Sequence, residues 1–114
     1  MFDVNYFIRN NERKGTVYHE FYKGKWDEVT FWKDDSLLLH DDLMFKTEGF
    51  SEAIIKVIPT YDSCGITEVS VEDWKKIGDE IKHKDECSRE LYEELDGWLQ
   101  EVFMEYDCFT ILGL

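Results

Sequence analysis

Proline occurs once, at Pro59, and no glycine- or serine-rich run interrupts the chain, so nothing in it marks a linker or a second domain. Uninterrupted apolar runs last only a few residues, far short of the roughly 20 that a membrane-spanning helix needs. The opening Met-Phe-Asp-Val-Asn-Tyr-Phe-Ile lacks the basic segment and long apolar stretch of a secretion signal. Cys64, Cys87 and Cys108 are odd in number and widely spaced. With no secretion signal they read as reduced thiols, and a cytoplasmic location is the expectation. Positive charge is also scarce: 13 Lys and Arg face 26 Asp and Glu. A phosphate-binding surface needs a basic patch and none is visible, which argues against nucleic acid or an anionic membrane as partner.

Chemistry-bearing motifs are equally sparse. His19, His40 and His83 stand apart, without the paired spacing of a metal site, so no metal and no cofactor is expected. No phosphate-cradling glycine loop or nucleophile elbow occurs. Cys64, in a loop beside Gly65, and the cluster His40-Asp41-Asp42 are the two places where a small enzyme could be built. The commoner explanation of the cluster is a turn after a strand, and no catalytic residue is assigned.

What the 114 residues do contain is a core and a one-sided charge. Apolar residues make up 43% and aromatics 16%, enough to fold a single domain over residues 1–114 without staples. Residues 1–33 carry six bases and five acids, whereas residues 34–114 carry seven and twenty-one, a balance of −14. Like charges repel, so folding does not ask for such a field; attraction of a basic partner does.

Period-two alternation over Phe2, Val4, Tyr6 and Ile8 predicts a first strand, Thr16 to Tyr22 a second, Trp26 to Lys33 a third and Leu37 to His40 a fourth. The period then becomes helical at Phe50, Ala53, Ile54, Val57 and Ile58, ending at Pro59. Ile66 to Val69 reads as a short strand, and Ser70 as the cap of a helix through Trp74, Ile77 and Ile81. A break at Lys82-His83-Lys84-Asp85 precedes the strongest stripe, Cys87, Leu91, Leu95, Trp98, Leu99, Val102, Phe103 and Tyr106, and residues 108–112 read as a final strand. The sum is α+β: an antiparallel β-meander with helices packed on one face. Some of Tyr18, Tyr22, Trp26 and Trp32 then lie on the other face, as interface anchors or as sheet filler.

Glu86, Glu90, Glu94, Glu101 and Glu105 fall opposite the last apolar stripe, with like-charge pairs at i,i+4. That face is either solvated surface or a contact for a basic partner, and on either reading reversal of Glu90, Glu94 or Glu101 to Lys should not lower stability. Candidate partner-binding residues are Asp34, Asp35, Asp41, Asp42, Tyr61, Asp62, Glu90, Glu94 and Glu101.

Tyr61-Asp62, Gly65-Ile66-Thr67-Glu68-Val69, Trp74 and Ile77, Glu90-Leu91, Glu94-Leu95-Asp96 with Trp98, and Phe109-Thr110-Ile111-Leu112-Gly113 form a cadence over residues 57–113. It resembles small immunity proteins of bacterial polymorphic-toxin and contact-dependent growth-inhibition systems. The resemblance implies a non-catalytic inhibitor that binds a cognate toxin domain, often a basic nuclease, and blocks its active site. An acidic adaptor or homodimeric structural domain is the alternative from a different class.

Overall fold

The computed structural model describes residues 6–46 and 48–113. Its regular elements are the strands β1 (Tyr18–Lys23), β2 (Leu37–His40), β3 (Ile66–Ser70) and β4 (Cys108–Leu112), and the helices α1 (Asp41–Met44), α2 (Glu48–Val57), α3 (Val71–Ile81) and α4 (Glu86–Glu105). The four strands form one antiparallel sheet in the order β2-β1-β4-β3. The α+β class with an antiparallel sheet is therefore as the sequence predicts.

The strand order differs from that of consecutive hairpins, because β4 enters between β1 and β3. Burial explains the placement. Phe109, Thr110, Ile111 and Leu112 are all buried, as are the first five residues of β1, and strands covered on both faces belong at the centre of a sheet. β3 alternates exposed and buried residues and takes an edge. Of the predicted first strand, residues 1–5 lie outside the described residues. Ile8 makes a single antiparallel bridge to Leu38, with N–H···O distances of 2.9 and 2.8 Å.

One face of the sheet presents Phe21, Leu37, Leu39, Val69, Phe109 and Ile111 to α2, α3 and α4, and together they make the hydrophobic core. α3 begins at the cap that the sequence predicts, Ser70, and α4 takes its cap from Asp85, the last residue of the predicted break. The Ser70 hydroxyl accepts the Asp73 N–H at 3.1 Å, and the Asp85 carboxylate accepts the Ser88 N–H at 3.0 Å. The break between α3 and α4 is real, and it lets α4 bury Leu91, Leu95, Trp98, Leu99 and Val102.

The opposite face carries Tyr18, Glu20, Tyr22, Leu38, Thr110 and Leu112, all buried although no helix covers them. Their cover is the irregular segment 24–36, which corrects the prediction of a third strand over Trp26 to Lys33. That stretch has strand-like composition, but the Asp27 carboxylate turns it back on itself. It accepts the N–H of Val29 at 2.9 Å, the N–H of Thr30 at 2.7 Å and the Thr30 hydroxyl at 2.5 Å. Glu28 and Trp32 take positive φ, 68° and 59°, which no strand accommodates. The uncovered aromatics are thus not Tyr18 and Tyr22, and the residues that the turn throws outward are Val29 and Phe31.

Candidate partner-binding surface

The nine acidic and aromatic candidates fall into three groups. Asp41, Asp42, Tyr61 and Asp62 come together at one end of the sheet. The Asp41 N–H donates to the Val17 carbonyl at 3.0 Å, tying the start of α1 to the entry of β1. His19 Nε2 meets Asp41 Oδ1 at 2.8 Å, in contact with a ring that is wholly buried. Burial first, and then the charges of Asp41, Asp62 and Cys64, hold the Tyr61 hydroxyl far above the usual range of a tyrosine. Asp62 itself is exposed, its carboxylate accepting the Cys64 N–H at 2.9 Å. Asp42 is 89% exposed, its carboxylate 3.7 Å from His40 Nδ1.

Asp34 and Asp35 lie elsewhere. Lys23 Nζ is 3.7 Å from the Asp35 carboxylate, and the Arg9 guanidinium donates to the Asp35 carbonyl at 2.9 Å. Asp35 is therefore committed to the fold, while Asp34 is exposed.

The third group, on α4, overturns the expectation of a uniform solvated face. Glu94 is buried, 8% exposed, and its carboxylate accepts the backbone N–H groups of Tyr6 at 3.0 Å and Phe7 at 3.4 Å. It follows Leu91 by three and precedes Trp98 by four, so it lies on the apolar stripe and not opposite it. Glu90 accepts the Tyr6 hydroxyl at 2.9 Å and pushes its pKa up to about 12. Together they clamp residues 6–7, and Phe7 enters the core against Phe21. Glu90 and Glu101 both lie exposed, and of the two only Glu90 is seen to hold a described residue.

The two places suggested for catalysis, Cys64 and His40-Asp41-Asp42, lie in a loop and at a helix start. Cys64 is exposed; its N–H donates to the Asp62 carboxylate and its Sγ lies 4.0 Å from the Ser63 hydroxyl. His40 is a helix cap, its Nδ1 accepting the Asp42 N–H at 3.0 Å. Burial, with Glu68 and Asp107 nearby, pushes the Cys108 thiol up, away from reactivity. Among the described residues no three His, Cys, Asp or Glu side chains converge as a metal site, and no helix is long and apolar enough to cross a membrane.

What the sequence did not point to is an apolar surface beside the first acidic group. Val17 and Ile66, 47% and 56% exposed, flank Phe31, which is 56% exposed. Two shallow hollows meet at Phe31: one of about 290 Å³ bounded by Trp26, Cys64, Ile66 and Leu112, the other of about 430 Å³ bounded by Thr16, Val17, Tyr18 and Trp32. Gly113 lines both. Its N–H donates to the Gly65 carbonyl at 2.7 Å, and a Cβ there would lie 2.6 Å from the Ser63 carbonyl carbon, so only glycine lets β4 meet the 61–65 loop. A further concavity, of about 550 Å³ between α3 and α4, is separate; it is bounded by Lys75, Lys82, Arg89, Asp79, Glu93 and Tyr92.

Comparison with protein-family models, with curated proteins and with solved structures finds no match to this chain.

Proposed function

We propose that this protein is a non-catalytic cytoplasmic immunity protein that binds a basic toxin domain, a nuclease in the reading its charge favours, and neutralises it. One observation carries the reading. At one end of the sheet, exposed acids, Asp42 and Asp62, stand beside exposed apolar side chains, Val17, Phe31 and Ile66, in a protein of net charge −13. An apolar centre with a charged border is the composition of a specific protein interface. The sign of that border selects a basic partner, and a cleft built for nucleic-acid phosphate is such a surface. The acids then occupy the place of phosphate and deny it to substrate. Complementary charge raises the rate of capture and rejects wrong partners, while the apolar centre slows release. The resemblance of residues 57–113 to small immunity proteins supports the same role.

The test is recovery of the bound protein from the native host on a tagged copy of this chain, followed by co-expression of the recovered protein with and without it. The expected result is a basic protein that arrests growth alone and is harmless in the complex. Its association rate should fall steeply with salt, because charges beyond about 8 Å are screened at physiological ionic strength. A partner that is acidic, or whose toxicity is unaffected, would refute the proposal, as would turnover of a substrate that disappears with Cys64→Ser in a folded variant.

A further inference from the structure

Segment 24–36 is fixed far more tightly than an irregular loop requires. Glu20 is a buried acid, 2% exposed, and its two carboxylate oxygens accept the N–H groups of Trp32 at 2.7 Å and Lys33 at 3.0 Å. The Trp26 indole donates to the Thr30 carbonyl at 2.6 Å, and Asp27 holds Val29 and Thr30 as described. The Arg13 guanidinium lies 4.2 Å from the Trp32 ring centre, and Lys33 Nζ 5.1 Å from that of Tyr22. Burying a glutamate in a sheet face is costly unless hydrogen bonds satisfy it, as these two do, and positive φ at Glu28 and Trp32 is costly too. What these costs maintain is a rigid turn that exposes Val29 (77%) and Phe31 (56%). Among the described residues, four of the eight large apolar side chains that are exposed, Val17, Val29, Phe31 and Ile66, belong to this turn and the rim around it.

We infer that Val29 and Phe31 are a preorganised anchor that inserts into an apolar pocket on a basic protein. Preorganisation matters because a loop already fixed in its bound form loses little conformational freedom on docking. An aromatic residue at the centre of a contact is where binding energy concentrates. The chemistry of the partner follows from the turn's own charges. Residues 27–35 hold Asp27, Glu28, Asp34 and Asp35 against Lys33, and Lys33 is engaged by Tyr22. Asp62 adds a further acid beyond Cys64. An apolar tip in an acidic setting fits a pocket bordered by Lys and Arg. A second copy of this chain would bring acid against acid. The inference rests on the reading of the protein as a binder of a basic partner, and names the contact.

The test uses a random peptide library displayed on phage, selected against the full chain and against the double variant Val29→Ser, Phe31→Ser. Both side chains are exposed, and unchanged backbone amide spectra and melting temperature establish that the variant folds. The parent should enrich peptides combining Lys or Arg with an aromatic or large aliphatic residue. The best of them, as a soluble peptide, should lose about 30-fold in affinity to the double variant, and addition of salt should weaken it. No enrichment, enrichment without basic residues, or equal affinity for the variant would overturn the inference. So would a parent that sediments as a dimer while the variant is monomeric, because the anchor would then serve self-association. The two proposals fail separately. Peptides held through Phe31 with no toxin neutralised leave the anchor and remove the immunity role; a toxin neutralised regardless of Val29 and Phe31 does the reverse.

Discussion

Reversing the charge of Glu94 should cripple the fold, whereas reversing Glu101, seven residues along the same helix, should not. The Glu94 carboxylate is the acceptor for two backbone N–H groups, those of Tyr6 and Phe7, at a site only 8% exposed. Lysine there removes both acceptors and faces the donors with a third positive group. Each orphaned buried donor costs about 1–3 kcal/mol, and an unpaired buried charge brings the total for such a site to about 3–5 kcal/mol. For a domain of this size each kcal/mol lowers the melting temperature by about 4 °C, so Glu94→Lys should melt about 12–20 °C below the parent. Glu101 is exposed, and its reversal should stay within about 0.5 kcal/mol. Glu94→Gln, which keeps one acceptor oxygen, should fall between them. Thermal and urea denaturation by circular dichroism supply the comparison, and amide exchange at Tyr6 and Phe7 should quicken first in Glu94→Gln. Glu94→Lys melting within about 2 °C of Glu101→Lys would show that the clamp contributes nothing.

Removing the acceptor for Trp32 and Lys33 in Glu20→Ala should cost about 2–5 kcal/mol through two orphaned N–H groups; urea denaturation measures it, and a loss below about 1 kcal/mol would contradict the bracing role. Hydrogen bonds from Thr30 and Val29 hold Asp27 down at about pKa 2 from 3.8. The folded pKa is the lower one, so its contribution is full above 3.8 and is lost as pH falls towards 2. The stability gap between parent and Asp27→Ala should therefore shrink across that window, and a carboxyl carbon that titrates at an ordinary midpoint by NMR would contradict it. Gly78→Ala places a Cβ 2.8 Å from Tyr92 Cζ, whose ring stacks on Trp74 at 4.2 Å, so the variant should lose stability despite alanine's better helix propensity; a gain by calorimetry would mean that the ring moves aside freely.

The helices were legible because their apolar period is long and their caps are local. Ser70 sits three residues before the N–H it receives, a signal that survives without knowledge of the fold, and Asp85, read only as the end of a break, caps α4 by the same spacing. β-Strand composition misled at residues 26–33, where Val29, Thr30, Phe31 and Trp32 resemble a strand but Asp27 captures the backbone two and three residues on. The Asp-x-x-Thr spacing was the available signal for that turn. The position of β4 between β1 and β3 was not readable, because strand order depends on contacts between residues about 90 apart, such as Phe21 with Ile111. Of the candidate site, the association of Asp41 and Asp42 with Tyr61 and Asp62 could not be read from two separate stretches of sequence. The exposure of Phe31 follows from a turn that composition had disguised.

Charge counted from a sequence also overstates the field that a partner meets. Glu20 and Glu94 are buried acceptors of backbone N–H groups, and Asp41 is held by the buried His19. These carboxylates shape the chain and present little charge outward. Pairing to Lys reduces others, as with Lys56 and Glu80 at 3.3 Å, although an exposed pair of that kind contributes little to stability. The acids that remain free to face a partner are fewer and more directional; Asp42, next to the Asp41 whose N–H meets the Val17 carbonyl, and Asp62, four residues before Ile66, are two of those on the apolar turn side of the molecule. Their position matters because the field within one Debye length of the contact decides capture, and net charge summed over the whole body does not. Reversal of Asp42 and Asp62 together should thus slow association more than reversal of Glu86 and Glu105 on α4, an equal change in total charge. Equal slowing in stopped-flow measurements would mean that net charge alone does the steering, and would detach the acids from the Phe31 surface.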